Sequence, residues 1–295
     1  MSLDRIGVAG AGLMGSGIAQ AAAVAGFATV VRDVSESALA RGQAAVRSSL
    51  DRLVDKGKLE AAVRQTALTR LAWTTDFAPL GGCELVIEAV PEDAALKRAV
   101  WQELDGRCPP GTIFASNTSS LSITELATAT RRAERFIGLH FFNPVPLMPL
   151  VEVVRGLTTS AETFDAAVAF VRRLGKEPIV ARDRSGFIVN RLLVPFLLDA
   201  VRALEEGTGS VPDIDRGMQL GCGHPMGPFT LLDLVGLDTA LSIGEILFQE
   251  YREARFAPPG LRRRMVAAGF HGRKSGRGFY DYSAQPPTPI DHLNR

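Results

Sequence analysis

The sequence is poor in cysteine and has no long apolar run. Its 295 residues include three cysteines, Cys83, Cys108 and Cys222, which are odd in number and widely separated. This pattern predicts free thiols in a reducing compartment, with no disulfide framework and no metal site. No apolar run has the length of a membrane span, and the first residues are too broken by Gly and Ala for a signal peptide. We therefore expect a cytoplasmic protein that does not associate with a membrane.

The chain also lacks an excess of charge of either sign. It has 33 Lys and Arg against 32 Asp and Glu, so its formal net charge is +1. A net charge this small gives no reason to expect nucleic acid as a partner. Hydrophobic residues make up 46% of the chain and charged residues 22%, as in ordinary globular proteins. The length is sufficient for two domains.

A Gly-x-Gly-x-x-Gly run stands directly behind a short apolar segment near the start of the chain. In such a run the first glycine permits a tight turn, the second lets the backbone approach a pyrophosphate, and the third lets helix and strand pack closely. The helix that follows offers unpaired N–H groups and a partial positive charge to phosphates. The run therefore predicts a dinucleotide site, formed here by Gly10, Gly12, Leu13, Met14 and Gly15.

An acidic residue follows the second apolar run, Ala28 to Val31. Asp33 lies about 20 residues beyond the glycines, where a carboxylate accepts hydrogen bonds from the adenosine ribose. A carboxylate there would repel the 2′-phosphate of NADP, so Asp33 favours NAD. Arg32 complicates this choice, because its side chain could reach such a phosphate, lie over the adenine or extend into solvent.

Strands and helices alternate through the first part of the chain. This order predicts an α/β domain with a doubly wound, Rossmann-type, mostly parallel sheet, in which ligands bind beyond the carboxyl ends of the strands. After the first two strands, the predicted strands are Leu85–Ile87, Thr112–Ala115, Phe136–Leu139, Val151–Val154 and Pro178–Ala181, with helices at Ala94–Leu104 and Thr163–Leu174. We expect residues 1–183 to form this dinucleotide-binding domain.

The pattern changes after Asp183. A broad apolar stripe at helical spacing predicts a long amphipathic helix, formed by Leu192, Leu193, Phe196, Leu197, Ala200, Val201 and Leu204. Further helices are predicted at Asp213–Leu220, Phe229–Val235 and Thr239–Tyr251, with a strand at most in Gly278–Tyr282. We expect residues 184–295 to form an all-α C-terminal domain. The width of the stripe fits either a subunit interface or a single internal core.

One of the four histidines has a chemically suggestive neighbourhood. His140 ends a predicted strand, and Glu152 lies 12 residues later on the next strand. Two adjacent strand ends could bring the imidazole and the carboxylate together. The carboxylate would then fix the tautomer of the ring, and the other ring nitrogen would act as a general base. The alternative is a structural histidine with Glu152 exposed.

A polar cluster, Ser116 to Ser120, follows another predicted strand. Side chains at that position can hydrogen-bond a nicotinamide or a substrate oxygen. They can also cap helices, and Ser122-x-x-Glu125 is itself a capping-box pattern. Taken alone, the cluster favours capping.

Taken together, the motifs strongly resemble the L-3-hydroxyacyl-CoA dehydrogenase family, in its 3-hydroxybutyryl-CoA dehydrogenase branch. The resemblance runs nearly from end to end. It is carried by Gly10-Ala-Gly-Leu-Met-Gly15, Ser116-Asn-Thr-Ser-Ser120, His140-Phe-Phe-Asn-Pro-Val-Pro146, Glu152, Asp183-Arg-Ser-Gly-Phe-Ile-Val-Asn-Arg191, His224-Pro-Met-Gly-Pro228 and Gly272-Arg-Lys-Ser-Gly-Arg-Gly-Phe-Tyr280. It implies an NAD-dependent oxidoreductase of fatty acid metabolism and β-oxidation. Its expected substrate is L-3-hydroxyacyl-CoA of short chain length, oxidised to the 3-ketoacyl-CoA.

The resemblance also implies roles for individual residues. His140 matches the catalytic base and Glu152 its partner. Ser119 and Asn190 match residues that hold the substrate's oxygens near the nicotinamide. The remaining matches, at the cofactor, are Glu92, Lys97 and Asn117.

The helical domain matches the family's dimerisation domain, so the resemblance implies a homodimer. The acyl-CoA arm is less well defined. Basic residues between Arg41 and Arg64 are interleaved with acidic ones, which is typical of a solvated helical face.

Two other functions are compatible with the same motifs. One is a related dehydrogenase of a free hydroxy acid or a carnitine-like substrate. The other is a non-catalytic structural protein that has kept the fold. The intact set of His140, Glu152, Ser119 and Asn190 argues against the structural protein.

Overall fold

A computed structural model describes residues 3–290 of the chain. The chain divides into two compact units between Phe187 and Ile188. The first unit is an α/β structure, and the second is built mainly of helices.

An eight-stranded sheet forms the centre of the first unit. In chain order its strands are β1 (Arg5–Ala9), β2 (Ala28–Arg32), β3 (Leu71–Thr74), β4 (Leu85–Glu88), β5 (Ile113–Ser116), β6 (Phe136–Phe141), β7 (Leu150–Arg155) and β8 (Glu177–Arg182). Their spatial order is β3-β2-β1-β4-β5-β6-β7-β8. Neighbouring strands pair in parallel except for β6 and β7, which are antiparallel. The predicted doubly wound, mostly parallel sheet is confirmed.

The helices of this unit connect the strands. They are α1 (Leu13–Val24), α2 (Glu36–Asp55), α3 (Ala61–Thr69), α4 (Ala94–Asp105), α5 (Ile123–Ala127) and α6 (Ala161–Arg173). Strand β3 was not among the predicted strands. It has four residues at the sheet edge and no fully buried side chain, so it lacks the apolar run that marks a central strand.

Both faces of the sheet are buried, as is usual for parallel sheets covered by helices. Alternate residues of one strand therefore enter different cores. Leu85 and Ile87 pack in one apolar cluster, whereas Val86 packs in the other beside Trp101 and Phe114. This double burial explains why the strands were visible in the sequence as short continuous apolar runs.

The second unit contains five α-helices among its described residues, 188–290. They are α7 (Val189–Glu205), α8 (Val211–Cys222), α9 (Pro228–Val235), α10 (Leu237–Tyr251) and α11 (Gly260–Ala267). The prediction did not include α11, in which three consecutive arginines interrupt the apolar pattern. None of the helices in residues 3–290 is long and apolar enough to cross a membrane.

The broad stripe of α7 is used mostly within its own unit. Leu197 and Val201 of the stripe pack in one buried cluster, whereas Val194 and Leu198, which the predicted stripe did not include, pack in a second. Leu192, in contrast, is 70% exposed. Much of the stripe's width therefore serves an internal core, and Leu192 is the part of it that lies at the surface.

Two buried carboxylates accept hydrogen bonds from backbone N–H groups in the second unit. Asp215 accepts hydrogen bonds from the Phe229 and Thr230 N–H groups at the start of α9. Asp233 accepts from the Phe279 and Tyr280 N–H groups. That contact positions β9 (Tyr280–Asp281), which pairs in antiparallel fashion with β10 (Thr288–Pro289).

Candidate active site

The glycine run forms a tight turn between β1 and α1. Gly10 has a φ of +110°, and a Cβ there would lie 2.6 Å from the Ala89 carbonyl oxygen. A Cβ on Gly15 would lie only 1.8 Å from the Gly10 oxygen, so helix and turn are in direct contact. A Cβ on Gly12, in contrast, would meet nothing within 4 Å. The turn is therefore closed on its inner side and open at Gly12, where a phosphate could approach.

A cavity of about 850 Å³ lies beside this turn. Gly10, Ala11, Gly12, Leu13 and Met14 line it. No side chain caps the N-terminus of α1, so its first N–H groups remain available to an anion. The volume lies in the range usual for small-molecule sites, and the residues present fit a dinucleotide.

Asp33 lines the same cavity and is held in a fixed orientation. Its Oδ2 accepts from the Ala11 N–H at 2.6 Å, and its Oδ1 accepts from the Val34 N–H at 2.7 Å. Each carboxylate oxygen retains a second lone pair. The side chain can therefore still accept hydrogen bonds from the two hydroxyls of a ribose, which is the role that the sequence analysis expects of it.

A buried lysine lies between two carboxylates beneath the strand ends. The Lys97 Nζ is 2.6 Å from Glu88 Oε1 and 3.3 Å from Glu92 Oε2. The side chains of Lys97 and Glu88 are 1% and 0% exposed. Burial raises the pKa of Glu88, while the Lys97 ammonium and the Ser116 hydroxyl oppose that rise. The buried ammonium of Lys97 thus has a carboxylate partner in the interior.

Glu92 organises the serine cluster that follows β5. Its Oε1 accepts from Thr118 Oγ1 at 2.5 Å and from Ser120 Oγ at 2.9 Å. It also accepts from the Ser119 N–H at 2.9 Å and the Ser119 hydroxyl at 3.3 Å. Burial would raise the pKa of Glu92, but the Lys97 ammonium and these donors lower it below its usual value. Glu92 therefore stays ionised and fixes the turn that carries Ser119.

In the segment from Thr118 to Ser122, one residue caps a helix and others are hydrogen-bonded to Glu92. Ser122 Oγ accepts from the Glu125 N–H and caps α5. Asp183 accepts from the Ile123 and Thr124 N–H groups at the same helix end. The capping prediction is confirmed for Ser122, whereas Thr118, Ser119 and Ser120 are held by Glu92.

His140 and Glu152 lie directly opposite each other in the antiparallel pair β6–β7. The His140 Nδ1 is 2.5 Å from Glu152 Oε2, and the two residues are 6% and 0% exposed. The aromatic rings of Phe142 and Phe187 contact the imidazole at centroid distances of 4.5 and 5.6 Å. A carboxylate at Nδ1 fixes the tautomer with a proton on that nitrogen. Nε2 is then the ring nitrogen left to accept a proton.

The other predicted site residues are placed as follows. Asn117 lies beside the dyad, because its Oδ1 accepts from the Phe141 N–H at 3.0 Å. Asn190 is half-buried in the first turn of α7, in the second unit. Glu88 was missed by the sequence analysis. A carboxylate ending the apolar run Leu85–Ile87 was the available signal for it.

The glycine turn, the oriented carboxylate and the His–Glu pair on a doubly wound sheet define a nicotinamide-dinucleotide dehydrogenase class of site. The family model "3-hydroxyacyl-CoA dehydrogenase, NAD binding domain" matches residues 5–184, and the corresponding C-terminal domain model matches residues 186–282. The chain belongs to the 3-hydroxyacyl-CoA dehydrogenase family, and its cofactor is NAD.

Individual relatives agree with this membership. A 3-hydroxybutyryl-CoA dehydrogenase of Bradyrhizobium diazoefficiens is 46% identical over 287 residues, which cover 97% of this chain and 98% of that protein. The mitochondrial hydroxyacyl-coenzyme A dehydrogenase of Mus musculus is 46% identical, with 95% and 91% covered. The crystal structure of (S)-3-hydroxybutyryl-CoA dehydrogenase from Ralstonia eutropha has a TM-score of 0.91 and 49% identity, with 96% of this chain and 100% of that chain covered.

Proposed function

We propose that the protein is an NAD-dependent oxidoreductase that interconverts L-3-hydroxyacyl-CoA and 3-ketoacyl-CoA, with 3-hydroxybutyryl-CoA as the expected short-chain substrate. The observation that carries this proposal is the 2.5 Å contact between His140 Nδ1 and Glu152 Oε2. It lies near the carboxyl end of β6, a parallel neighbour of β5 in the sheet that carries the glycine turn. The names of the relatives support the substrate class.

In the oxidation direction, His140 Nε2 accepts the proton of the C3 hydroxyl. A bound NAD⁺ would supply the redox chemistry as the acceptor of the hydride that leaves C3 when the C3–O bond becomes a carbonyl. The imidazolium that forms on His140 is stabilised by the negative charge of Glu152. In the reduction direction the same imidazolium returns its proton to the carbonyl oxygen.

The remaining residues bind and orient the reactants. Ser119 and Asn190 hold the oxygens of the substrate. The glycine turn and Asp33 hold the adenosine and pyrophosphate part of the cofactor. In the same proposal Asn117 contacts the cofactor, and Glu92 and Lys97 line the nucleotide cleft. In this proposal residues 1–183 bind the cofactor, and residues 184–295 serve substrate binding and dimerisation.

A dehydrogenase of a free hydroxy acid or a carnitine-like substrate is the second candidate, because the same dyad would serve it. Turnover of acetoacetyl-CoA with NADH should be measured beside a panel of the corresponding free acids. We expect the thioester to be reduced with much higher kcat/KM. Faster turnover of a free acid would favour the second candidate, and absence of any turnover would favour a structural protein.

We further propose a cytoplasmic homodimer that acts in fatty acid metabolism, in β-oxidation chemistry. The free thiols support a reducing compartment: Cys83 and Cys108 are buried and Cys222 is exposed. Burial raises the pKa of Cys83 and of Cys108 to about 11, so both remain unreactive thiols at neutral pH. Leu192 on α7 and Leu220 on α8 are each 70% exposed, and apolar surface of this kind in the second unit is what a dimer contact would cover.

A further inference from the structure

Arg32, the last residue of β2, is held flat against an aromatic ring. Its guanidinium carbon lies 3.7 Å from the centroid of the Phe77 ring, which is close to van der Waals contact. Its Nε donates to the Thr75 carbonyl oxygen at 3.2 Å. Arg32 lines the cavity beside the glycine turn, and Phe77 does not. One face of the guanidinium therefore rests on Phe77, and Arg32 itself forms part of the cavity wall.

Two carboxylates act electrostatically on the charge of Arg32. Asp33 and Asp76 both interact with the guanidinium electrostatically and oppose the lowering of its pKa by burial. A 2′-phosphate that approached Arg32 would also approach the Asp33 carboxylate, which is fixed by its bond to the Ala11 N–H. This arrangement is unfavourable to an anion and favourable to a flat neutral ring.

Adenine is the flat ring that a bound dinucleotide would place near Arg32. Asp33 is oriented to accept hydrogen bonds from a ribose, and Arg32 precedes it directly in the chain. Adenine is attached to the same ribose, so it lies within reach of the neighbouring side chain. An arginine guanidinium stacks on aromatic faces, whereas the compact ammonium of lysine does so less well.

We infer that Arg32, supported from behind by Phe77, is the platform on which the adenine ring of the cofactor stacks. This inference rests on the NAD function proposed above. It assigns Arg32 to adenine recognition and removes it from the candidates for a 2′-phosphate ligand. It also gives Phe77 a role in cofactor binding, although its ring lies outside the cavity.

The test separates the two halves of the cofactor. Isothermal titration should compare ADP-ribose, 2′-phospho-ADP-ribose and reduced nicotinamide mononucleotide in the unmutated protein and in Arg32→Lys, Arg32→Ala and Phe77→Leu. Arg32→Ala and Arg32→Lys should each weaken ADP-ribose about tenfold, as expected for loss of one stacked cation. Phe77→Leu should weaken it less, and the affinity for the mononucleotide should not change in any variant.

A matched control is available in the first unit. Arg173 stacks on Phe27 at 4.0 Å and does not line the cavity. Arg173→Lys removes a comparable stack and should leave ADP-ribose binding unchanged. Thermal unfolding of each variant, followed by circular dichroism, shows whether its fold is intact.

Three outcomes would overturn the inference. Full ADP-ribose affinity in Arg32→Lys would mean that charge rather than a planar face is needed. Full affinity in Arg32→Ala would mean that the side chain plays no part. A loss confined to 2′-phospho-ADP-ribose would make Arg32 a phosphate ligand. In all three cases the unmutated protein still binds ADP-ribose, whereas failure of that binding itself would overturn the NAD function as well.

Discussion

Glu152 lies opposite His140 across the β6–β7 pair, with its Oε2 2.5 Å from the His140 Nδ1. The sheet register itself therefore aligns the two side chains, and Glu152 is fully buried at that contact. A buried carboxylate in this position fixes one ring nitrogen and leaves the other for chemistry.

The first prediction concerns this pair. His140→Ala should lower kcat by at least about 10²–10⁴-fold, the range typical of general acid–base catalysis. Glu152→Gln should also slow the chemical step, because it keeps the size of the side chain and removes the charge that stabilises the imidazolium. Both variants should still bind NADH, which fluorescence titration can measure, because the residues proposed to hold the cofactor lie on other loops.

Both reaction directions should slow in each variant, because oxidation and reduction share one transition state. Near-normal turnover of His140→Ala at saturating acetoacetyl-CoA and NADH, with chemistry shown to limit the rate, would make the mechanism wrong.

The second prediction concerns cofactor choice at Asp33. Asp33→Ala should weaken NADH by about tenfold or more, the cost of losing hydrogen bonds to a charged group. It should also narrow the preference for NADH over NADPH, because the charge that repels the 2′-phosphate is gone. Steady-state kinetics with both cofactors measures the effect, and Asp55→Ala at the end of α2 is the matched control. Equal or better use of NADPH by the unmutated protein would contradict the assignment.

The third prediction concerns assembly. Light scattering at low micromolar concentration should show a dimer. Leu192→Glu should shift it toward monomer if the exposed part of the α7 stripe lies at the interface, since Leu192 is 70% exposed. Leu157→Glu changes a residue that is 90% exposed in the first unit and should leave the dimer intact. A persistent monomer of the unmutated protein would refute the proposed homodimer.

Local sequence patterns predicted the parts of the fold that depend on local rules. The glycine turn has backbone requirements that few sequences meet, and the central strands are buried on both faces. The His140–Glu152 contact was an open alternative in the sequence, because spacing cannot give the register of two strands. The observed pairing of β6 with β7 provides that register.

Features that depend on tertiary packing were not visible in the sequence. Strand β3 is stabilised by its pairing with β2 and not by an apolar run. The burial of Lys97 depends on Glu88, nine residues earlier, and no sequence period links them. Likewise, the width of the α7 stripe did not reveal that one internal cluster would cover most of it.

The fourth prediction compares two glycines of one turn. Gly15→Ala places a Cβ 1.8 Å from the Gly10 oxygen, so it should distort the turn and lower the melting temperature. Gly12→Ala meets nothing within 4 Å and should fold with nearly unchanged stability. It should still weaken NADH binding, because the added methyl group occupies the side from which the pyrophosphate approaches. Unchanged NADH affinity in Gly12→Ala would place the phosphates elsewhere.

The last prediction concerns the buried cation. Lys97→Met leaves Glu88 in the interior without its counter-ion, at a cost of about 3–5 kcal/mol of unfolding free energy. Arg107→Met removes the partner of Glu103 in a pair whose side chains are both 44% exposed, and it should cost at most about 1 kcal/mol. Chemical denaturation of both variants, with the double variant Glu88→Gln/Lys97→Met, measures the difference. The double variant should recover part of the loss.

The destabilisation should also depend on pH. Burial raises the pKa of Glu88, and the lysine is the largest influence opposing that rise; its removal should therefore raise the pKa further. Between the unfolded and folded pKa values the folded state holds a proton that the unfolded state has released, so stability falls as pH rises through that window. Lys97→Met should therefore lose more stability at pH 8 than at pH 5. A loss equal to that of Arg107→Met, or one independent of pH, would show that Glu88 does not need the lysine charge.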